Sequence, residues 1–249
     1  SRANAIGQIA GGTSSAEVTV AALTGSGTIR VGTGAVTTIG ASVAGSAAGQ
    51  SLGSAYAKVN AINAASVPGL TATATNNVEF QISSATSAGG AGTYSLTING
   101  EVIVPVTTIA TAVPLTAQAI TDAINVASAT TGVSAALDGG TLRLSAVDGR
   151  DIAIGQTVGG DVSALQGVVA GTGGNSTVNG VVFRDGTIGA VADATNNSVV
   201  VGAVNGGTLS LSATEKISIT GDGAIMGFAA AAHDILKDTT TLSSVNVKT

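Results

Sequence analysis

The chain has 249 residues, no cysteine and a formal charge of −5 from 9 basic and 14 acidic side chains. Zero cysteine excludes a disulfide scaffold and thiolate metal centres, and the net negative charge disfavours a phosphate-gripping nucleic-acid binder, which needs a clustered basic surface. Apolar residues reach 44%, yet aromatics are only 2% and charged residues 9%, beside 36 glycines; the expected core is thin and layered, in units that each stabilise little alone.

In chain order, "EVTVAAL" and "GTIRVG" alternate and predict a first hairpin. "AVTTIGASVAGSAAGQSLG" is broken by Gly and Thr, and no apolar run reaches membrane-spanning length. "QSLGSAYAKVNAINAA" predicts a helix, with Leu52, Tyr56, Val59 and Ile62 on its apolar stripe and Asn63 near its end. "GLTATATNNVEFQIS" follows as extended chain.

After a Gly-rich passage around residues 87–91, "TYSLTI" places Tyr94, Leu96 and Ile98 on one face. Asn99-Gly100 is a tight-turn signal, and "EVIVPV" is the partner strand, with Pro105 favouring a sheet edge. In "LTAQAITDAINVA" the period changes to helical. Leu115, Ala119, Ile120, Ala123, Ile124 and Ala127 form the stripe, Thr116 the N-cap, and Asn125 closes the motif. "GVSAALD", the turn Gly139-Gly140 and "TLRLSA" come next, with Leu142 and Leu144 on one face and Arg143 on the other. "DGR" then turns into "DIAIG", where Ile152 and Ile154 are in phase. The unit expected here is β-β-α-β-β-β, one antiparallel sheet covered by its helix.

Parts of this unit recur. Both helices end in Ala-Ile-Asn, at residues 61–63 and 123–125, and both run on into similarly spaced strands. "GGTLRLSA" at residues 139–146 returns as "GGTLSLSA" at 206–213, so Gly206, Gly207, Leu209 and Leu211 match Gly139, Gly140, Leu142 and Leu144. No helix precedes this third, partial copy, which reads as a sheet extension, a small β domain or a diverged unit. "AIMGFAAAAHDILKDTT" predicts a short C-terminal helix anchored by Phe228, Ile235 and Leu236, followed by an extended exit chain. The fold class expected is mainly β with a few short helices (α+β): tandem small β-β-α-β-β units with antiparallel sheets, in elongated projecting domains. Gly clusters divide it into residues 1–88, 89–172 and 173–249.

Candidate chemistry is sparse. His233 is the lone histidine, and no nucleophile-elbow motif accompanies it; a packing or surface role explains it. Asp138, Asp148, Asp151, Asp161, Asp185, Asp193 and Asp222 match no calcium-loop pattern, and Asp148-Gly149 and Asp222-Gly223 sit at expected turns, where Asp accepts local backbone hydrogen bonds. "GTGAVTTIG" lacks the lysine of a phosphate loop. Asn175-Ser176-Thr177 and Asn196-Asn197-Ser198 match the Asn-linked glycan pattern, but solvated loops explain them as well. No catalytic residue, metal or cofactor is expected. The residues that stand out belong to the repeat: Ile62, Asn63, Ile98, Asn99, Gly100, Ile120, Ile124, Asn125 and the two Gly-Gly-Thr-Leu-x-Leu segments.

"YSLTINGEVIV", "AQAITDAIN" and "TGVSAALDGGTLRLSAVDGRDIAI", in that order, resemble the insertion motif in the variable middle region of bacterial flagellins and some hook-associated proteins. The resemblance spans about residues 93–155. "GSAYAKVNAINAASVPGLTATAT" resembles a weaker copy, "GGTLSLSATEKISITG" its tail, and "LKDTTTLSSVNVKT" flagellin sequence returning toward its conserved core. It implies the surface-exposed outer domains of a filament subunit: a structural protein supporting motility, not an enzyme, without cofactor, secreted and extracellular. Its partners would be other flagellin subunits, engaged through conserved terminal helices that this sequence lacks. With no starting Met or signal peptide, the chain reads as a fragment or processed product, monomeric by itself, with neither nucleic acid nor membrane as partner. The alternative is a binding or adhesion module, or a hook-associated segment, with host or surface ligands. The filament reading expects both chain ends together at one end of the molecule.

Overall fold

The computed structural model describes residues 9–82, 84–87, 92–110, 113–159, 162–163, 168–169, 176–178, 181–183, 188–189 and 199–238. Its elements begin with β1 (Ala10–Thr13), β2 (Thr28–Val31), β3 (Thr37–Thr38), α1 (Ala55–Ala64) and the long β4 (Leu70–Gln81). Next come β5 (Thr86–Ser87), β6 (Gly92–Ile98), β7 (Glu101–Ile109), α2 (Ala117–Val126) and the single turn α3 (Ser128–Thr131). β8 (Ser134–Asp138), β9 (Thr141–Ala146) and β10 (Ile152–Gly159) follow. The short strands β11 (Val162–Ser163), β12 (Val168–Val169), β13 (Ser176–Val178), β14 (Val181–Phe183) and β15 (Ile188–Gly189) lead to β16 (Val199–Asn205). The chain returns through β17 (Thr208–Ala213), β18 (Ile217–Thr220) and β19 (His233–Ile235). The fold is mainly β with short helices, in antiparallel sheets grouped into small β/α units, as the alternating patterns predict.

Two apolar cores organise these elements. The inner core is continuous in sequence and includes Val78, Tyr94, Leu96, Ile98, Ile120, Ile124, Leu142, Leu144 and Ile152. The outer core joins the early and late parts of the described chain: Ile29, Ile62, Ala72 and Ala74 pack with Leu209, Leu211, Ile217, Ile219 and Phe228. β4 serves both. Residues 70–75 pair with β17, and residues 76–81 pair with β9.

In the inner unit, Asn99 (φ 51°) and Gly100 (φ 82°) turn β6 into β7, and β7 is a sheet edge as Pro105 suggests. Thr116 caps α2, its side chain accepting from the Ala119 N–H at 3.1 Å. The single covered sheet expected here is replaced by two. β6, β7, β10, β15 and β16 form one, while the β8–β9 hairpin joins β4 in another. Two half-apolar sheets both need cover, and Ile120 and Ile124, fully buried, supply it between them. Ala119 stays exposed, so the buried stripe is narrower than expected.

Three further expectations are corrected. Residues 17–23 form no hairpin with β2; β2 pairs with β3 and β18. The Val18 and Thr19 amides instead donate to the carbonyls of Gly207 and Ile225. Leu52 lies before α1 and is 50% exposed, because Ser54 is the N-cap and the helix starts only at Ala55. The C-terminal helix is absent: the chain turns repeatedly and then forms β19 against β18. A helix there would break the pairing that buries Ile235; Phe228 is buried too, but Leu236 is 69% exposed. At the second Gly-Gly pair, β16 pairs with β10 while β17 crosses to β4 and β1, so the third copy extends two sheets. The boundary expected near residues 171–175 lies outside the described residues, as do Asp161, Asp185, Asp193, Asn175 and residues 196–198.

Candidate functional site: a polar joint between the two units

The connection from β9 to β10 carries Asp148-Gly149-Arg150-Asp151. Asp148 Oδ1 accepts from its neighbour's backbone, the Arg150 N–H, at 3.1 Å, which is the local turn bond expected of Asp. The Arg150 guanidinium then closes on the same carboxylate, with Nη2 2.8 Å from Oδ2 and Nε 3.0 Å from Oδ1. The loop so stiffened reaches out of its own unit. Arg150 Nη1 donates to the Ala48 carbonyl at 3.1 Å and to the Thr131 carbonyl at 3.3 Å. Gln50 Nε2 donates to Asp148 Oδ2 at 3.2 Å, and Ser51 Oγ to Asp151 Oδ2 at 2.5 Å.

Backbone bonds complete the dock. The Asp151 N–H donates to the Gly49 carbonyl at 2.7 Å, and the Tyr56 N–H, in the first turn of α1, to the Gly149 carbonyl at 2.9 Å. Gly149 has φ +75°, and a Cβ there would stand 2.3 Å from the Cβ of Ala74, so the loop lies directly on β4.

A second strut stands where the chain passes between units. Asn76 is 1% exposed, and its Nδ2 donates to the carbonyls of both Arg150 and Asn205, each at 2.8 Å. Asn205 Nδ2 in turn donates to Glu17 Oε1 at 2.7 Å, and the Gly206 N–H to Glu17 Oε2 at 2.9 Å. Asn76 Oδ1 is buried without a hydrogen-bond partner. Burial alone would raise the pKa of Asp148, but the hydrogen bonds from Arg150 and Gln50 outweigh it and hold the carboxyl below its ordinary range. Asp148 is therefore a fixed anion at neutral pH, paired with a largely buried cation. These bonds tie the joint loop to the residues on either side of it.

The repeat residues hold each unit together. Asn63 Nδ2 donates to the Ala72 carbonyl at 3.1 Å, pinning α1 to β4. Asn125 pins α2 to β8 twice, donating to the Ala135 carbonyl at 2.9 Å and accepting from its N–H at 2.8 Å. Asn99 does more than turn the chain: Oδ1 accepts from the Ala153 N–H at 2.8 Å and Nδ2 donates to the Thr131 carbonyl at 3.0 Å. His233 sits in β19 and stacks on Phe228 with ring centroids 5.0 Å apart. Asp138 lies 3.8 Å from Arg143, which also pairs with Glu79 at 2.9 Å across the β4–β9 ladder. Asp222 is buried, with Oδ2 unpaired. Among the described residues, no three His, Asp or Glu side chains gather as a metal site. The apolar void between Ile98, Ile120, Ile124 and Leu144 measures about 10 Å³, room for one water at most.

Sequence reasoning identified the turn at Asp148 but missed the joint. Gln50, Ser51, Asn76, Asn205 and Glu17 follow no local spacing that would assign them to it. The signal available was the excess of charge in one turn, Asp-Gly-Arg-Asp, in a chain otherwise poor in charge.

The sequence signature described as the flagellin hook IN motif matches residues 95–148, from β6 to the first acid of the joint loop. No curated protein matches the chain. The matched stretch supports a general structural role of the flagellar kind.

Proposed function

We propose that this chain is the projecting outer part of a bacterial flagellar filament subunit, exported and displayed outside the cell, with the joint setting the angle at which its two units project. The observation that carries this reading is the pairing of the first described residues with the last. The Asp238 N–H donates to the Ile9 carbonyl at 2.8 Å, and Ala10 bridges Lys237. An insert that leaves and re-enters a packed helical core must bring its two ends together, and the pairing of residues 9–10 with residues 237–238 at the edge strand β1 supports that arrangement. The similarity of residues 95–148 to the flagellin hook motif supports the same reading. The adhesion reading draws less support: Tyr94 is fully buried and so does not line an exposed groove, and only the partly buried Tyr56 is left of the two tyrosines.

Immunogold electron microscopy of intact cells of the source bacterium, with antibodies raised against this chain, tests the proposal. Labelling along the filament is expected. Labelling confined to the hook–filament junction would move the chain to a hook-associated protein, and labelling away from flagella would overturn the reading.

A further inference from the structure

The two Gly-Gly segments hold equivalent places in the two units. In the inner hairpin, Asp138 faces Thr141, Leu137 faces Leu142 and Ala135 faces Leu144. In the outer unit, Thr75 faces Thr208, Ala74 faces Leu209 and Ala72 faces Leu211. Thr-Leu-x-Leu-Ser therefore meets the strand after the helix in one register both times. The helix-end asparagine bonds the strand residue opposite the second leucine in both, Ala72 from Asn63 and Ala135 from Asn125. The second glycine's carbonyl also accepts an amide from a neighbouring segment in both, Val18 N–H to Gly207 and Ile82 N–H to Gly140. The strands flanking each unit agree as well: β18 follows β17 and pairs with β2, as β10 follows β9 and pairs with β6.

One difference remains. Between Asp138 and Gly139 the inner chain simply turns, whereas between Thr75 and Gly206 the outer chain holds the whole inner unit. The ends of that insert touch, through the Asn76 side chain and the Asn205 carbonyl. The third sequence copy is thus the missing strand of the first.

We propose that the point just before the Gly-Gly pair is a module-acceptor site of this fold, filled by the inner unit at Thr75/Gly206 and open at Asp138/Gly139. It accepts a folded module whose two ends adjoin. Gly139 and Gly140 have φ of 54° and 91°, Gly139 is exposed, and a Cβ at Gly139 would meet nothing within 4 Å. Exposed tips of this kind tolerate inserted domains. The Asn99-Gly100 turn, although also tight, does not qualify, because Asn99 is bonded to Thr131 and Ala153.

The test inserts a fluorescent protein permuted to have adjoining ends into the full chain, between Asp138 and Gly139 in one variant and between Asn99 and Gly100 in another. A third variant carries only a short Gly-Ser linker at Asp138/Gly139. Host integrity is read by amide hydrogen exchange at Ile124 and Leu144. Expected are native protection in the linker variant and in the Asp138/Gly139 fusion, and loss of protection in the Asn99/Gly100 fusion. Loss of protection in either Asp138/Gly139 variant, or equal tolerance at both turns, would overturn the proposal.

Discussion

The inner β8–β9 hairpin and its outer counterpart, the first half of β4 with β17, share residue pattern and register but differ in how the chain closes them. A two-glycine turn brings Leu142 to Leu137, whereas Leu209 reaches Ala74 only after the entire inner unit has intervened. Closing a longer loop costs more entropy, and non-local pairing slows folding. The comparison teaches that one local pattern serves two architectures.

Matched core truncations test that contrast with the largest effect. Leu144→Ala and Leu211→Ala each remove a buried leucine at the same register position and should cost about 2–5 kcal/mol. Hydrogen exchange should show Leu211→Ala loosening the outer core while the inner stays protected; equal loosening of both would remove the distinction between units. Arg150→Ala comes next. It strips the Ala48 and Thr131 carbonyls and the Asp148 carboxylate of a shared donor, and should cost about 1–3 kcal/mol. Calorimetry should then resolve two unfolding transitions in place of a coupled one.

The asparagine pins give a finer comparison. Asn125→Ala loses two hydrogen bonds and Asn63→Ala one, at about 1 kcal/mol each, so chemical denaturation should rank Asn125→Ala as the more damaging. Acid should act on the joint through Asp148. Its pKa is lower folded than unfolded, so its contribution is present above the unfolded value and is lost as pH falls through the folded one. A pH series of thermal melts should therefore show a drop on acidification that Asp148→Asn reduces. The smallest effect belongs to Tyr94→Phe. The Tyr94 hydroxyl is buried without a partner and burial pushes its pKa up, so removing it should leave the melting temperature unchanged or slightly higher.

What was legible in the sequence is what depends on near neighbours. Period-two alternation identified the faces of β6, β9 and β10, a period of 3.6 placed Ile120 and Ile124 toward a core, Thr116 announced a cap, and Asn99-Gly100 and Gly139-Gly140 announced turns. These follow from backbone geometry within a few residues. The C-terminal segment misled because its alanines suit a helix, while the pairing of β19 with β18 is a distant contact that overrides propensity. The joint was illegible for a related reason: Arg150 finds Ala48, and Asn205 finds Glu17, only after both units have folded.

By itself, then, the sequence determined the unit: its faces, its turns, its helix-end asparagines and the register offered by Thr-Leu-x-Leu-Ser. Only the tertiary structure decided which strand each segment would pair with. A strand's alternation specifies which side it buries but not whose edge it joins, and Gly206-Gly207, which matches the Gly139-Gly140 turn in sequence, became the place where the chain leaves one unit and completes the other.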